Sequence, residues 1–294
     1  MTTPPAGPPP PRWPRAVRLD AQRMADAIEA EAGVRLRVDG PCPGGQVGAA
    51  YVTWPDGHRS VLTWRPGVRL ADLRRGPLAV IAAVRPAGYP APAAELAGDA
   101  VALVWELVPG APVTHVTTGL LDQALALNEL QASLLAGTPT VPAADLYLTR
   151  DGPGFCLHQP LREFSSRTRA LHRWITAVGA VHPRCLGGDD AVHLDYQPGN
   201  ILARHGRITG VVDWDGAARG DRRLDLVTFR FGLHAVTADP AVVTRLDQIL
   251  DGFPPDVLAP LWAHMSLRMT DWAIRHFTSA DVGHWLDLAE QRVG

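Results

Sequence analysis

The sequence predicts an α+β fold with a small, β-rich N-terminal lobe (N-lobe) and a larger, mainly helical C-terminal lobe (C-lobe). In the first third of the chain, short apolar segments alternate with turn residues, which is typical of strands. After residue 111, apolar residues recur at helical spacing. The 294 residues can bury the core of one two-lobed domain. We therefore assign residues 16–110 to the N-lobe and residues 111–294 to the C-lobe. Residues 1–15, with seven prolines, should form a disordered tail.

The N-lobe elements follow from apolar spacing and from residues that favour turns. A first helix should end at Gly33, and Asp56-Gly57 should close a hairpin between two strands. A second helix should break at Gly76-Pro77, because proline lacks the amide hydrogen that a helix interior requires. The predicted elements are helix 19–32, strands 34–38, 49–54 and 59–64, helix 70–85 and strand 100–107.

The C-lobe pattern predicts three helices, at residues 119–135, 162–178 and 257–277, and a β-hairpin at residues 201–212. The last helix has two distinct faces. Its stripe of leucine, methionine and tryptophan predicts core packing. Its other face carries His264, Arg268, Asp271 and Arg275. This face indicates either a solvated surface, which we favour, or a wall of the substrate site.

The composition excludes several classes of function. A formal net charge of −2 gives no electrostatic basis for binding nucleic acid or an anionic membrane. The chain contains no lysine, so its cationic side chains other than histidine are all arginine. Cys42, Cys156 and Cys185 have neither metal-site nor disulfide spacing. No signal pattern begins the chain, and its apolar runs are too short to cross a bilayer. We therefore expect a cytoplasmic protein.

The most informative motif begins at His193 and reads H-x-D-x4-N, with Asp195 and Asn200 as its other fixed residues. Two apolar segments around a turn follow it, and Asp213 comes after the second segment. Such a hairpin brings Asn200 and Asp213 to one edge, where a single cation can contact both. This order of groups suits phosphoryl transfer from a nucleotide to a hydroxyl. Asp195 would orient the hydroxyl and accept its proton, while Asn200 and Asp213 would hold Mg²⁺.

On these residues, the chain resembles the aminoglycoside phosphotransferase and choline kinase-like family of small-molecule kinases, which are relatives of the protein kinases. The resemblance spans roughly residues 34–290 and is specific between 193 and 226, where Gly220-Asp221 and Leu224-Asp225-Leu226 also match. It implies a protein-kinase-like fold, ATP or GTP as the donor, Mg²⁺ and a small hydroxylated acceptor. It assigns catalysis to Asp195, with His193 bracing its loop, and metal ligation to Asn200 and Asp213. Asp225 would be a buried carboxylate that accepts backbone N–H bonds beneath this loop.

The nucleotide side of the predicted site begins with a glycine-rich loop between the first two strands. Gly44, Gly45 and Gly48 would let backbone N–H groups approach phosphate oxygens without obstruction by side chains. The third strand departs from the family pattern, because Thr63 stands where a phosphate-binding lysine is expected. Arg65 lies two residues further on the same strand face, so it is our candidate for the phosphate contact. A surface position for Arg65 is the equal alternative.

Two functions from different classes remain open. The leading hypothesis is an enzyme that transfers the γ-phosphoryl group of ATP or GTP to a hydroxyl of a small molecule, with antibiotics among the candidates. The alternative, which Thr63 supports, is a catalytically impaired protein that binds a nucleotide or a small molecule. A protein kinase is disfavoured, because no arginine precedes Asp195 and no D-F-G motif is present at Asp213.

The sequence does not identify the acceptor or the oligomeric state. A cationic aminosugar would need a cluster of carboxylates, and the candidates near the C-terminus are Asp271, Asp281, Asp287 and Glu290. Arginines alternate with these residues, so the face suits a neutral or zwitterionic hydroxylated compound at least as well. Asp215, just after the motif, is either a ligand of a second cation through water or a partner in a surface ion pair.

Overall fold

The N-lobe consists of one antiparallel sheet with helices on both faces. The computed structural model describes residue 13 and residues 17–44, 47–65, 67–97 and 102–293. The strand order in the sheet is β1-β2-β3-β5-β4. The N-lobe elements are α1 (Ala21–Ala32), β1 (Arg37–Pro41), β2 (Ala50–Thr53), β3 (Arg59–Trp64), α2 (Leu70–Arg75), α3 (Pro77–Val84), β4 (Ala94–Ala97) and β5 (Ala102–Glu106).

The first helix, α1, covers one face of this sheet. The Asp20 side chain accepts a hydrogen bond from a first-turn amide, which caps the start of the helix. Gly33 ends the helix in the left-handed conformation, with φ 68°, and confirms the predicted end. Met24 and Ile28 are buried in the same apolar cluster as Val52 of the sheet. The amphipathic pattern of the helix therefore fixes which sheet face it covers.

Two short helices cover the opposite face of the sheet. The chain breaks between them at Gly76-Pro77, as predicted. Pro77 is the first residue of α3, a position where a missing amide hydrogen costs no helical bond. Leu73, Val80 and Trp105 are buried here and belong to a cluster that continues into the C-lobe. The α2–α3 unit thus lies between the sheet and the second lobe.

The C-lobe is mainly helical and includes the predicted β-hairpin. Its strands are β6 (Ala111–Pro112), β7 (His115–Val116), β8 (Asp190–Val192), β9 (Ile201–Arg204), β10 (Arg207–Val211), β11 (Ala218–Gly220) and β12 (Thr237–Ala238). Its helices are α4 (Thr118–Leu130), α5 (His158–Phe164), α6 (Ser166–Val181), α7 (Arg223–Gly232), α8 (Pro240–Asp251), α9 (Pro255–His276) and α10 (Ser279–Ala289). Strands β9 and β10 form the hairpin, and β6 pairs with β9. None of the helices in the described ranges is both long and apolar enough to span a membrane. The α+β character and the two lobes are therefore as predicted.

One apolar cluster joins the two lobes. Trp214, which is 1% exposed, follows the hairpin and contacts the Tyr89 ring edge-on, with 5.3 Å between ring centroids. The Val211 amide donates a hydrogen bond of 2.9 Å to the Pro90 carbonyl oxygen. The hairpin that leads to Asp213 is therefore anchored to the N-lobe as well as to the C-lobe.

Several helix boundaries differ from the prediction. The helix predicted at 119–135 ends at Leu130. The helix predicted at 162–178 is two helices that meet at Ser165, whose side chain forms a capping box with Thr168. Helices α8 and α10 have no counterpart among the predicted elements. A second capping box, between Thr278 and Asp281, is the sequence signal that marks the start of α10.

The polar face of α9 is buried, so the solvated surface that we favoured for it is wrong. His264 is 5% exposed, and its Nδ1 lies 2.7 Å from the Leu146 carbonyl oxygen. Asp271 and Arg275 form a buried ion pair, with 2.9 Å between Oδ1 and Nε. Asp271 also accepts a hydrogen bond from the Leu157 amide. These contacts attach α9 to the segment between α4 and α5, whose position no local pattern predicts.

Most of the predicted tail, residues 1–15, lies outside the described residues. Trp13 is the described residue of this segment. Its side chain is half-buried and packs against the C-lobe core. The tail assignment for the other residues stays a prediction.

We predict that Gly232→Ala destabilises the protein. A Cβ atom there would lie 2.6 Å from Pro198 Cδ and 2.8 Å from Gln197 Cβ. Such overpacking costs about 1–3 kcal/mol. Gly283→Ala is the control, because a Cβ at this position of α10 meets no atom within 4 Å. Alanine there should stabilise the helix by about 0.5–1 kcal/mol. Urea unfolding measures both, and equal stabilities for the two variants would contradict the close contact.

We predict that His264→Asn removes one cause of the loss of protein stability at acidic pH. Burial lowers the pKa of His264 to about 4, so the unfolded chain takes up a proton near pH 6.5 and the folded chain does not. Stability from the neutral ring is complete above pH 6.5 and is lost as the pH falls toward 4. The stability difference between wild type and variant should narrow by about 2 kcal/mol between pH 7.5 and 5. Urea unfolding at both pH values measures it, and a constant difference would contradict the prediction.

Candidate active site

The loop between β8 and β9 carries the H-x-D-x4-N motif, and one buried carboxylate fixes its start. Asp225, in the first turn of α7, is 0% exposed. Its Oδ2 accepts bonds of 2.8 Å from the His193 amide and from the Gln131 side chain, and its Oδ1 accepts one of 2.9 Å from the Leu194 amide. Burial raises the pKa of Asp225 to about 7, whereas these N–H groups favour the charged form. The loop backbone is thus tied to α7 in the way the resemblance implied.

His193 links the loop to the hairpin. Its ring is completely buried, and burial lowers its pKa to about 4, so the imidazole is neutral. Nε2 lies 3.0 Å from the Val212 carbonyl oxygen, and Nδ1 accepts a 3.2 Å hydrogen bond from the Asp195 amide. These two contacts require the tautomer that carries its proton on Nε2. His193 therefore binds the backbone of the hairpin at Val212 and the backbone of the loop at Asp195.

Both oxygens of the Asp195 carboxylate have hydrogen-bond donors. Asn200 Nδ2 donates to Oδ2 at 2.8 Å and to the Asp195 carbonyl oxygen at 2.9 Å. Gln197 Nε2 lies 3.4 Å from the same Oδ2. Arg268 Nη2 lies 2.9 Å from Oδ1. Because Asn200 uses its amide nitrogen here, its side-chain oxygen is left for a cation.

The hairpin places Asp213 beside Asn200. The Val212 amide donates a 2.9 Å hydrogen bond to the Asn200 carbonyl oxygen, one residue before Asp213. Asp213 then adopts the left-handed conformation, with φ 65° and ψ 53°, which is uncommon outside glycine and is found at strained functional positions. No donor in the described ranges contacts its carboxylate. Asp213 and Asn200 therefore offer oxygen atoms on one edge.

The charges around Asp213 favour a bound cation. The side chain is open to solvent, but surrounding protein desolvates its carboxyl, and the charges of Asp215 and Asp195 repel it, so its pKa is raised. A divalent cation would relieve this repulsion. One carboxylate and one carboxamide oxygen suit Mg²⁺, which takes few protein ligands and completes its shell with phosphate and water. No group of three or more His, Cys, Asp or Glu residues in the described chain forms a metal cage.

Arg65 and Thr63 occupy the positions where the sequence departs from the family. Thr63 Oγ1 accepts a 2.9 Å hydrogen bond from the Trp105 indole nitrogen, so this site holds a neutral contact between β3 and β5. Arg65 Nη1 lies 3.6 Å from Asp215 Oδ2, and these side chains are 31% and 13% exposed. The ion pair proposed for Asp215 thus exists, with both side chains partly buried. Arg65 therefore lies beside the predicted metal site.

The glycine-rich loop connects β1 and β2 as predicted. Gly44 and Gly48 have positive φ values of 84° and 86°, which glycine adopts without strain. A Cβ atom at Gly44 would meet no atom within 4 Å, so backbone conformation is the constraint there. Gly45 lies outside the described residues. Contact between this loop and phosphate oxygens stays a prediction.

Arg268 of α9 is the residue that sequence reasoning missed. Besides the contact with Asp195, its Nη1 donates to the Leu194 carbonyl oxygen. Leu194 has a positive φ of 66°, so the arginine binds a strained peptide of the loop. The sequence placed Arg268 on the polar face of this helix, but its distance of 73 residues from Asp195 gave no local signal.

Comparison with known proteins establishes the class of protein that this fold and site define. The model of the phosphotransferase enzyme family matches residues 41–261, well over half of the chain. The chain therefore belongs to this family, which confirms the resemblance. A comparison with curated proteins gives no significant match.

Solved structures with the same fold include three kinases. Spectinomycin phosphotransferase APH(9)-Ia, in complex with ADP and spectinomycin, has a TM-score of 0.56 and 11% identity, with 93% of this chain and 98% of that chain covered. Amicoumacin kinase hAmiN, with AMP-PNP, Ca²⁺ and its ligand, has a TM-score of 0.56, 16% identity and coverages of 94% and 93%. A thermostable aminoglycoside phosphotransferase APH(4)-Ia, with ADP and hygromycin B, has a TM-score of 0.54, 14% identity and coverages of 94% and 100%. The fold is thus protein-kinase-like, as the resemblance implied.

Proposed function

We propose that the protein transfers the γ-phosphoryl group of ATP or GTP to a hydroxyl of a small molecule. The convergence of Asp195, Asn200 and Asp213 carries this proposal. Asp195 takes the proton of the acceptor hydroxyl while the oxygen of this hydroxyl bonds to the γ-phosphorus. The bond from the γ-phosphorus to the bridging oxygen breaks, and the nucleoside diphosphate leaves.

Asn200 and Asp213 would hold Mg²⁺ in this reaction. The bound ion would neutralise charge on the phosphates and fix their orientation. Other residues of the chain would hold Asp195 in place. His193 and Asp225 fix the backbone of its loop, and the Asn200 amide orients its carboxylate. All three cysteines are free thiols, which supports the cytoplasm as the proposed location.

Arg65 is our candidate for the cation on the nucleotide phosphates. It is paired with Asp215, and its positive charge also opposes the rise that desolvation causes in the pKa of the neighbouring Asp213. Desolvation raises the pKa of Asp215, and Arg65 opposes this effect. An arginine has N–H groups for a phosphate in addition to those that face Asp215. We infer that the Arg65–Asp215 pair takes the place of a lysine on β3.

A catalytically impaired nucleotide-binding protein is the second candidate. The neutral Thr63–Trp105 contact favours it, because no cation occupies the expected lysine position. Incubation with ATP and Mg²⁺ separates the two functions. An enzyme should form ADP slowly even without an acceptor, whereas an impaired protein should show a thermal shift with nucleotide but no ADP.

The acceptor should be found by measuring ATP consumption with aminoglycosides, other hydroxylated antibiotics, choline-like amines and sugars. The carboxylates that the sequence offered for a cationic acceptor all have partners. Asp271 is paired with Arg275, Asp281 caps α10, and Asp287 and Glu290 bind Arg167. This arrangement supports an acceptor that is not a polycation.

We predict that Asp195→Asn lowers kcat by about 10²- to 10⁴-fold, because the amide cannot accept the hydroxyl proton. Nucleotide binding should persist, since Asn200 and Asp213 are retained. Single-turnover phosphoryl transfer and calorimetry with AMP-PNP measure the two properties. Asp189→Asn is the control, because it removes a charge from an exposed ion pair with Arg219. Wild-type transfer by the Asp195 variant would disprove the assigned role.

We predict that Arg65→Ala raises the KM for ATP or lowers kcat by the loss of a charge-assisted contact, about 1.5–3 kcal/mol. Thr63→Lys in the Arg65→Ala background should restore part of this loss, because it returns a cation to the same strand face. Steady-state kinetics with ATP test both variants. Unchanged ATP kinetics in Arg65→Ala would show that the nucleotide is held without a cation from β3.

A further inference from the structure

Arg268 is the only α9 side chain in the described structure for which a contact with the Asp195 carboxylate is found. It reaches from the C-lobe helix to Asp195 Oδ1, with 2.9 Å between the charged atoms. Both side chains keep contact with solvent, at 21% and 24% exposure. The pair is therefore accessible from solvent, unlike the buried Asp271–Arg275 pair one turn further along the helix.

The Arg268 guanidinium has more N–H groups than the acceptors found for it use. Arginine carries five N–H groups. The Leu194 carbonyl oxygen and Asp195 Oδ1 are the acceptors found for it in the described part of the chain. The other N–H groups are available to a ligand in a planar arrangement that matches an oxyanion.

The reaction geometry brings the acceptor to this guanidinium. Asn200 and Gln197 already donate to Asp195 Oδ2, so the Oδ1 atom is the less crowded acceptor for a hydroxyl proton. A hydroxyl at Oδ1 lies next to the Arg268 contact with the same atom. Substituents one or two bonds from that hydroxyl would therefore face the remaining N–H groups.

The positive charge of Arg268 opposes a cation at this position, because the Asp195 carboxylate beside it is already paired with this arginine. An ammonium group on the acceptor would meet Arg268 directly. The four C-terminal carboxylates that could offset this repulsion are engaged in caps or in ion pairs with Arg167 and Arg275. An oxyanion meets the opposite situation, because it can form charge-assisted bonds with Arg268.

We propose that Arg268 recognises an oxyanion, a carboxylate or a phosphate, that the acceptor carries near the hydroxyl to be phosphorylated. The inference rests on the proposed function and narrows its substrate class to hydroxylated acids or phosphate esters. Arg268 then has two tasks: it positions Asp195, and it selects the acceptor by charge.

The test uses acceptors of matched skeleton and different charge. Gluconate, sorbitol and glucamine form one open-chain series, and glycerate, glycerol and 3-amino-1,2-propanediol form another, so that only the group at one end of the chain changes. ADP formation above the rate without acceptor gives kcat/KM for each compound. The anionic member of a series should exceed its neutral and cationic counterparts at least tenfold. Preference for a neutral or cationic member would overturn the proposal.

Variants separate acceptor recognition from the positioning of Asp195. Arg268→Gln should lower kcat/KM for the anionic acceptor at least tenfold more than for its neutral counterpart, and Arg268→Lys should retain part of the preference. Arg173→Gln, at an exposed position of α6, is the matched control for loss of one positive charge. Equal losses for anionic and neutral acceptors in Arg268→Gln would show that the arginine only holds Asp195, and would overturn the proposal.

Binding of the anionic acceptors tests the proposal even if they are not phosphorylated. Calorimetry with AMP-PNP and Mg²⁺ present should show gluconate or glycerate binding that Arg268→Gln weakens at least tenfold. Absence of binding by both anions would overturn the proposal. Failure of the proposed function has a different signature, because wild type would then lack magnesium-dependent ATP hydrolysis altogether.

Discussion

The hydrogen bonds that Asp225 accepts beneath the loop that carries Asp195 are the constraint on which the candidate site depends. An unpaired buried carboxylate is costly, so its donors cannot be withdrawn without a large loss of stability. Two of these donors are the consecutive amides of His193 and Leu194. The contact thus holds Leu194 at positive φ and directs the chain toward Asp195. The hydrogen bonds to Asp225 therefore maintain the strained backbone conformation of Leu194.

A second constraint comes from the core shared between the lobes. Trp214 follows Asp213 directly and packs against His193, with 4.5 Å between ring centroids, and against Tyr89 of the N-lobe. Its indole nitrogen donates a 2.7 Å hydrogen bond to the Val211 carbonyl oxygen. One buried side chain therefore contacts the loop that carries Asp195, the end of the hairpin at Asp213 and the N-lobe. Apolar packing on this scale leaves little freedom for Asp213 to move relative to Asn200.

The absence of lysine shapes the electrostatics of the candidate site. The carboxylates of Asp195 and Asp215 each have an arginine partner: Arg268 of α9 for Asp195, and Arg65, which directly follows β3, for Asp215. Guanidinium groups can hold one carboxylate and still donate to a second anion, which a compact ammonium does less well. We propose that these two pairs contact phosphates on one side and the acceptor on the other.

The sequence by itself determined the local features. The turn at Asp56-Gly57, the helix end at Gly33 and the break at Gly76-Pro77 depend on backbone preferences of single residues. The spacing of the motif likewise required a hairpin that brings Asn200 and Asp213 to one edge. These features follow from interactions over a few residues, and the sequence contains them directly.

Only the tertiary structure decided which partners the charged side chains have. Arg268 and Asp195 are far apart in the chain, and the polar face of α9 looks the same in sequence whether water or protein covers it. Burial of that face depends on the segment between α4 and α5, which has no periodic pattern. The packing of the two lobes similarly brings Arg65 close to Asp215. Ion pairs of this kind depend on the distance between side chains in space, which local propensity does not specify.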